Sequence, residues 1–517
     1  ATEGRTTNFT SINYTERRMD AHQFGGSHDW KDETALSIDW AILFSENRQI
    51  EPDTFDSRGS DGILPDASSA SPPFRIRRVT RQDGYVANVD LTVHLDEIFG
   101  GLDTENGNRF LSGYFVEDTR RDFNQSIRAR DDSQSSALEN QNVAGTTFTA
   151  DVVSRLLYTD PLRVGSASGQ RKVQATYFML DLNPTESVQL VGGVRVEMTQ
   201  LSFEGFGTAP RAGTTDSGLQ PGIFGDENLR PIDQTDLIPS VGLNLTPFET
   251  VKVRLAWSKT IARPTFRELA PYPIFNLQTQ EVEVGNPGRM TLNPEAQQGA
   301  IVLPDDGFFD LIPSDVGGGR YWGLEVAEVN NLDARIEWFP EEDVFLAFGV
   351  FRKEVDGVIE RISLDALPEI DSGLPFNTFV NNENQATLLG YEIEVEGNLR
   401  HLEEKLDFIS LGGNVAFIRS KVRRSDLERA VIEDNAGRLS IPEGGFDDNR
   451  QVQDQPDFLA TGYMNLEIEP TATDLTISLN RIGRRLDVPA TGRQPDIFLE
   501  AYNQVNFVLT QQIPGVE

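Results

Sequence analysis

Residues 251–264, VKVRLAWSKTIARP, place Val251, Val253, Leu255 and Trp257 on one side of an extended chain and Lys252, Arg254, Ala256 and Ser258 on the other. Successive side chains of a strand point to opposite faces, so this strand has one apolar and one charged face. It is entered from a turn at Thr246 and Pro247, and the same unit recurs along the chain. Residues 175–181 turn through Asn183, Pro184 and Thr185 into 189–199. Residues 332–338 turn at Pro340 into 345–351, and residues 463–468 turn at Pro470 into 475–479. Alternating runs joined by short proline turns predict antiparallel hairpins. Their other ends open into long Gly, Asn, Asp and Pro-rich stretches, read as loops over residues 205–236, 271–330 and 423–456. That asymmetry is the sidedness of an outer-membrane β-barrel, with periplasmic turns and external loops.

Strand length agrees. A tilted strand running from Pro247 to Trp257 rises about 25 Å, the height of the apolar band of such a barrel. Trp257 and then Lys259 are expected at the upper interface, the lysine snorkelling, with Phe248, Trp338 and Phe339 marking a lower aromatic girdle. Slipping the strand by one residue would turn Lys252 and Arg254 toward lipid at roughly 2–4 kcal/mol each, which fixes the register.

Lys and Arg number 46 against 81 Asp and Glu, a net charge of −35. Such a field repels nucleic acid and excludes it as a partner. Cysteine is absent, which removes disulfides, thiolate metal sites and cysteine nucleophiles together. Mean hydropathy is −0.37, and no apolar run reaches the roughly 18 residues of a membrane helix. Neither fact opposes a barrel, whose strands need an apolar residue only at alternate positions. The chain opens at Ala1 without a basic and apolar leader.

Candidate chemistry is sparse. Glu392, Glu394 and Glu396 share one strand face about 7 Å apart, within the range of glycosidase carboxylate pairs. They read better as an acidic stripe on a barrel lumen, balanced by Lys252, Arg254 and Arg335. Gly165-Ser166-Ala167-Ser168-Gly169 has alanine where a nucleophile elbow needs serine, and reads as a loop. Asp103, Glu105, Asn106 and Asn108 around Gly107 lack the spacing of a calcium loop. His22 and His28, two of only four histidines, lack ligand spacing. Gly317–Gly319 has no lysine or helix to form a phosphate cradle. No cofactor, catalytic residue or metal site is expected.

The run Trp257–Pro264, followed by Phe266, Arg267, Glu268 and Leu269, resembles a segment of TonB-dependent outer-membrane receptors. Further matches follow in the family's order. These are Gly193–Glu197, Gly285-Asn286-Pro287, Asn331-Leu332-Asp333 leading to Glu337–Pro340, Gly349–Ile359, Gly390–Glu394 and Asn480–Arg485. The likeness is to the larger receptors and runs from about Gln174 to Phe507; before that, Ile38-Asp39-Trp40 and Glu51-Pro52-Asp53 fit loosely.

The resemblance implies an all-β transmembrane barrel of roughly 22 strands closed by an N-terminal plug. The function it implies is TonB-energised uptake of a scarce bulky nutrient across the outer membrane of a Gram-negative bacterium. The cargo would be a siderophore-iron complex, a corrinoid or an oligosaccharide. Expected partners are outer-membrane lipid, the small-molecule or oligosaccharide ligand, and the TonB complex acting through a plug. Residues 1–517 carry neither plug nor TonB-contacting box, and no aromatic-ended terminal strand precedes Glu517. The expectation is therefore a partial barrel domain over 1–517. Arg263, Pro264, Gly285, Asn286, Pro287 and Glu295 are expected to shape a loop base rather than touch substrate, since the segment is shared among receptors with different cargo. Asn293 stands where the family often has lysine, within a loop carrying an insertion. Two rivals stand beside this reading. One is a plugless porin-like channel. The other is a soluble β-rich surface enzyme or adhesin.

Overall fold

The computed structural model describes residues 7–30, 34–60, 74–99, 107–129, 162–207, 223–225, 229–270, 274–276, 281–283, 285, 290–292, 324–363, 376–434, 447–468, 471–490 and 495–512. They form a 19-stranded sheet built on an antiparallel meander. Its long strands are β1 (Glu16–Trp30), β2 (Leu36–Ser60), β3 (Phe74–His94), β4 (Arg109–Ala129) and β5 (Leu162–Thr185). There follow β6 (Val188–Gly207), β7 (Leu229–Phe248), β8 (Val251–Ala262), β9 (Ala327–Glu341) and β10 (Val344–Asp356). The last are β11 (Ala386–Asn398), β12 (Ile409–Arg423), β13 (Phe458–Ile468), β14 (Thr473–Ile482) and β15 (Tyr502–Gln511). Each pairs with the next, and among the described residues β1 and β15 are the two edges of the meander. The short strand Thr7–Ile12 continues the line of β1 along β2.

Register sorts the two faces. Residues directly opposite in an antiparallel ladder point the same way, so Leu255, Ala334, Val350, Tyr391 and Phe417 form one row. Leu255, Tyr391 and Phe417 are exposed despite being apolar, as expected of a lipid-facing band. The row Lys252, Glu337, Ala347, Glu394, Asn414, Thr461 and Asn480 points to the other side. That is the polar lumen. Trp257 is 40 % exposed at the top of the band, and one step above it Lys259 Nζ lies 2.8 Å from Glu328. Among the described residues no helix is long and apolar enough to cross a membrane.

Four details depart from the sequence reading. Phe339 is not part of the lower girdle: it packs on Phe345 at 5.1 Å beneath the ammonium of Lys252, so it faces the lumen, whereas Phe248 and Trp338 are exposed outward. Ordinary alternation accounts for this, since Phe339 lies two residues beyond lumenal Glu337 and Trp338 stands between them on the other face. The Gly165–Gly169 run is strand, not loop, because β5 and β6 pair as far as Gly207. The first loop is shorter than 205–236, since Asp236 already pairs with Glu197. The third, read as irregular over 423–456, contains a helix at Asp426–Asp434. The turn residue Pro470 lies outside the described residues.

The strands before Gln174 are also longer than the membrane requires. β2 has 25 residues, which at a 40° tilt rise about 65 Å, more than twice the apolar band. Above the band both faces are polar, and charges pair across strands, as in Arg81 with Glu46 at 3.2 Å.

Candidate functional site

The most densely built region lies where the long loops leave the sheet. Regular pairing of β8 ends at Ala262, and Pro264, lacking a donor, is buried at the exit. Arg263 turns back, forms an ion pair with Glu197 and donates from Nε to Thr199 Oγ1 at 3.0 Å. Arg195 holds the same carboxylate at 2.8 Å. Two arginines on one nearly buried glutamate make a charge-assisted junction between β6 and the loop.

Thr265 then starts a single helical turn, Phe266–Leu269, with a capping box. The Thr265 amide donates to Glu268 at 2.6 Å and the Glu268 amide to Thr265 Oγ1 at 3.3 Å. The turn drives Leu269 and Ala270 into an apolar cluster with Leu201, Phe203, Ile232 and Leu324. Gly285 packs against this turn, its amide donating to Ala270 O at 2.9 Å. A Cβ there would sit 2.6 Å from that oxygen, so only glycine fits. Glu283 is gripped from two sides: Arg267 donates to its carboxylate at 2.9 Å, and Arg361 lies 3.0 Å from its other oxygen. The structure thus places Arg263, Pro264 and Gly285 at one loop base. Asn286, Pro287 and Glu295 lie outside the described residues.

A second junction was not legible in the sequence. Arg450 meets Glu360 at 2.7 Å and Glu428 at 2.9 Å, with all three side chains at most 3 % exposed. Arg424 pairs with Glu428 and lies 2.7 Å from Asp496. Asn382 completes the shell by donating to Glu360 at 2.9 Å. Glu360, Glu428 and Asp496 come from three different inter-strand loops, so one network ties those loops together. Burial by itself would lower the pKa of Arg450, but the carboxylates of Glu360 and Glu428 overcome it and raise the guanidinium above its ordinary value. Arg424 is raised in the same way, against burial, by Asp496 and Glu428. Arg424, Glu428 and Arg450 lay in the stretch 423–456 read as loop, and Glu360 and Asp496 carried no pattern that singled them out.

The lumenal wall carries a ladder of paired charges. Arg254 bonds Glu337 at 3.1 Å, Arg335 bonds Glu337 at 3.1 Å and Glu394 at 2.5 Å, and Tyr463 donates to Glu396 at 2.8 Å. A cavity of about 440 Å³ opens against this wall, lined by Arg335, Glu392, Glu394, Asn414, Thr461 and Gln504. The carboxylates at 392–396 are thus part of a mixed-charge surface. On the earlier strands, Tyr177 donates to Asp90 at 2.7 Å over Gly113, whose missing side chain leaves room for both.

Other candidates occupy structural positions. Asn108 donates to Asp96 at 2.7 Å and accepts from the Asn183 amide; Asp103, Glu105 and Asn106 lie outside the described residues, as do Gly317–Gly319. His28 stacks on Trp30. Among the described residues no group of His, Asp or Glu is placed to hold a metal.

Comparison with known proteins places this geometry. No curated protein matches the chain. Among solved structures, the ferric yersiniabactin uptake receptor FyuA from Yersinia pestis is similar with a TM-score of 0.53 at 12 % identity, covering 97 % of this chain and 54 % of that one. The ferric-catecholate import receptor Fiu from E. coli gives 0.54 at 14 %, covering 97 % and 59 %. The pyoverdine receptor FpvA from Pseudomonas aeruginosa gives 0.56 at 11 %, covering 97 % and 56 %. These likenesses establish the fold, and the chain spans little more than half the length of these structures. The family model described as TonB dependent receptor-like, beta-barrel, matches residues 2–514. Members of that family are Gram-negative outer-membrane transport receptors, not enzymes. The chain therefore belongs to the TonB-dependent receptor β-barrel family.

Proposed function

We propose that residues 1–517 form part of the barrel of a receptor that takes up a scarce, bulky nutrient, with TonB supplying energy through a plug encoded elsewhere in the full-length protein. The observation that carries this reading is the family match over residues 2–514. The shortfall in length against the similar structures supports the partial-barrel assignment. Among cargoes, a siderophore-iron complex is favoured over a corrinoid or oligosaccharide, because the similar structures named above are receptors for ferric yersiniabactin, ferric catecholate and pyoverdine. The Arg263 junction and the Gly285 turn would hold the loop bases rigid while the loops engage cargo.

Uptake of a radiolabelled ferric siderophore by iron-starved cells carrying the full-length gene tests this reading. Saturable uptake that stops when the proton gradient is collapsed supports it. Uptake that is linear in concentration and indifferent to the gradient would favour a porin-like channel. Energised uptake of a corrinoid or oligosaccharide instead would reassign the cargo.

A further inference from the structure

Three external loops meet beside the Arg450 junction around a cavity of about 10 Å³, whose lining includes Ser363, Asn377, Glu428, Val488, Pro489 and Ala490. Ser363 and Asn377 stand opposite one another on the paired segments Ile359–Ser363 and Phe376–Asn381, so their side chains share a face. Asn377 is 3 % exposed. Its Nδ2 and the Ser363 Oγ are both buried, and neither has a hydrogen-bond partner among the described residues. Glu283, beside Asn377 on the parallel neighbour, is already held by Arg267 and Arg361.

The walls are braced from every side. Strand pairing holds Ser363 and Asn377, Arg424 and Arg450 hold Glu428, and the Ala490 amide donates to Asp496 at 2.7 Å. A cavity so framed does not collapse onto the Asn377 amide to give it a protein partner. Leaving a buried amide donor unmade is costly, and nearly all such groups in folded proteins find a partner in protein or in water. Size and charge identify that partner. The volume is about the room that one water molecule needs. Around it Arg267, Arg361, Arg424 and Arg450 are matched one for one by Glu283, Glu360, Glu428 and Asp496, so no excess charge calls for an ion.

We infer that this cavity binds a single water molecule, which accepts from Asn377 Nδ2, donates to Ser363 Oγ and turns its second hydrogen toward the Glu428 carboxylate. Three polar partners are what a buried water ordinarily has. The water joins the segment 359–381 to the loops that carry Glu428 and Ala490, adding a neutral link to the ionic junction beside it. Asn377 and Ser363 are thereby positioning residues for the loops and not contacts for cargo. The inference depends neither on which nutrient is carried nor on what energises its passage.

A crystal structure of the full-length receptor, grown in the presence of bromide and sharp enough to show ordered water, reads the site without any variant. One solvent peak is expected within hydrogen-bond reach of Asn377 Nδ2 and Ser363 Oγ, with no anomalous bromide signal. An empty cavity, a direct bond between the two side chains, or bromide in the site would overturn the assignment. Asn377→Leu adds an energetic reading, because leucine is close to asparagine in size but has no amide. With water bound, the variant takes away one of its partners, and amide hydrogen exchange in Phe376–Asn381 should quicken roughly tenfold. An amide that was merely unpaired would be relieved by the same change, so unchanged or slower exchange would also sink the proposal.

Discussion

Arg450 and Glu360, 90 positions apart in sequence, meet at 2.7 Å with each side chain only 2 % exposed. Glu428 lies on the other side of the same guanidinium at 2.9 Å. Removing one partner of a buried pair strands the remaining charges, typically at about 3–5 kcal/mol, whereas replacing the whole set by apolar groups can be neutral. Arg450→Ala is therefore expected to loosen the external loops while the barrel assembles. Trypsin applied to intact cells should cut the variant much faster than wild type, while the heat-modifiable band on a gel persists.

The lipid face makes a sharper demand. Leu255→Arg places a cation in the apolar band at roughly 2–4 kcal/mol. Arg254→Leu acts on the lumenal side and leaves Glu337 paired with Arg335. The yield of heat-modifiable barrel should drop strongly for the first and little for the second. Equal yields would contradict the assignment of faces.

At the loop base, Gly285→Ala forces a methyl group against the backbone of Ala270 and Arg267. Overpacking of this kind costs about 1–3 kcal/mol. The expected outcome is an assembled barrel whose segment following Leu269 exchanges amide hydrogens faster; unchanged exchange there would mean that the turn relaxes freely.

On the turn side, Asp343 accepts a hydrogen bond from His401 and an ion pair from Arg400 at 3.0 Å, linking two neighbouring turns. The His401 bond, with Arg400 assisting against partial desolvation, holds the Asp343 carboxyl below its ordinary value of 3.8. A depressed folded-state pKa stabilises the fold above that ordinary value, and the contribution disappears as pH falls through the depressed one. Carbon NMR of labelled aspartate should show Asp343 titrating below 3.8 in the wild type and moving upward in His401→Ala.

The hairpins around Thr246, Pro340 and Asn183 were legible because each crosses the apolar band, where lipid on one side and water on the other impose strict alternation. The strands before Gln174 were not, because much of their length stands above the band with polar groups on both faces, such as Arg81 with Glu46 and Arg120 with Asp122. Gly165–Gly169 resembled a loop for a related reason. Its small residues make room for a neighbour, since a Cβ at Gly169 would lie 2.6 Å from the Phe266 ring, and local composition does not reveal what packs against it.

The sequence by itself determined which face meets lipid on the strands flanking the turns at Asn183, Thr246 and Pro340, and to which family the barrel belongs, because a period of two and a turn are local properties. Tertiary structure decided the rest. That Arg263 reaches Glu197 and that Glu360, Glu428, Arg450 and Asp496 converge from three loops both depend on register between strands far apart in the chain. A charged residue in a loop has the same local signature whether it is solvated or buried in a network, and only the folded arrangement of its neighbours distinguishes these states.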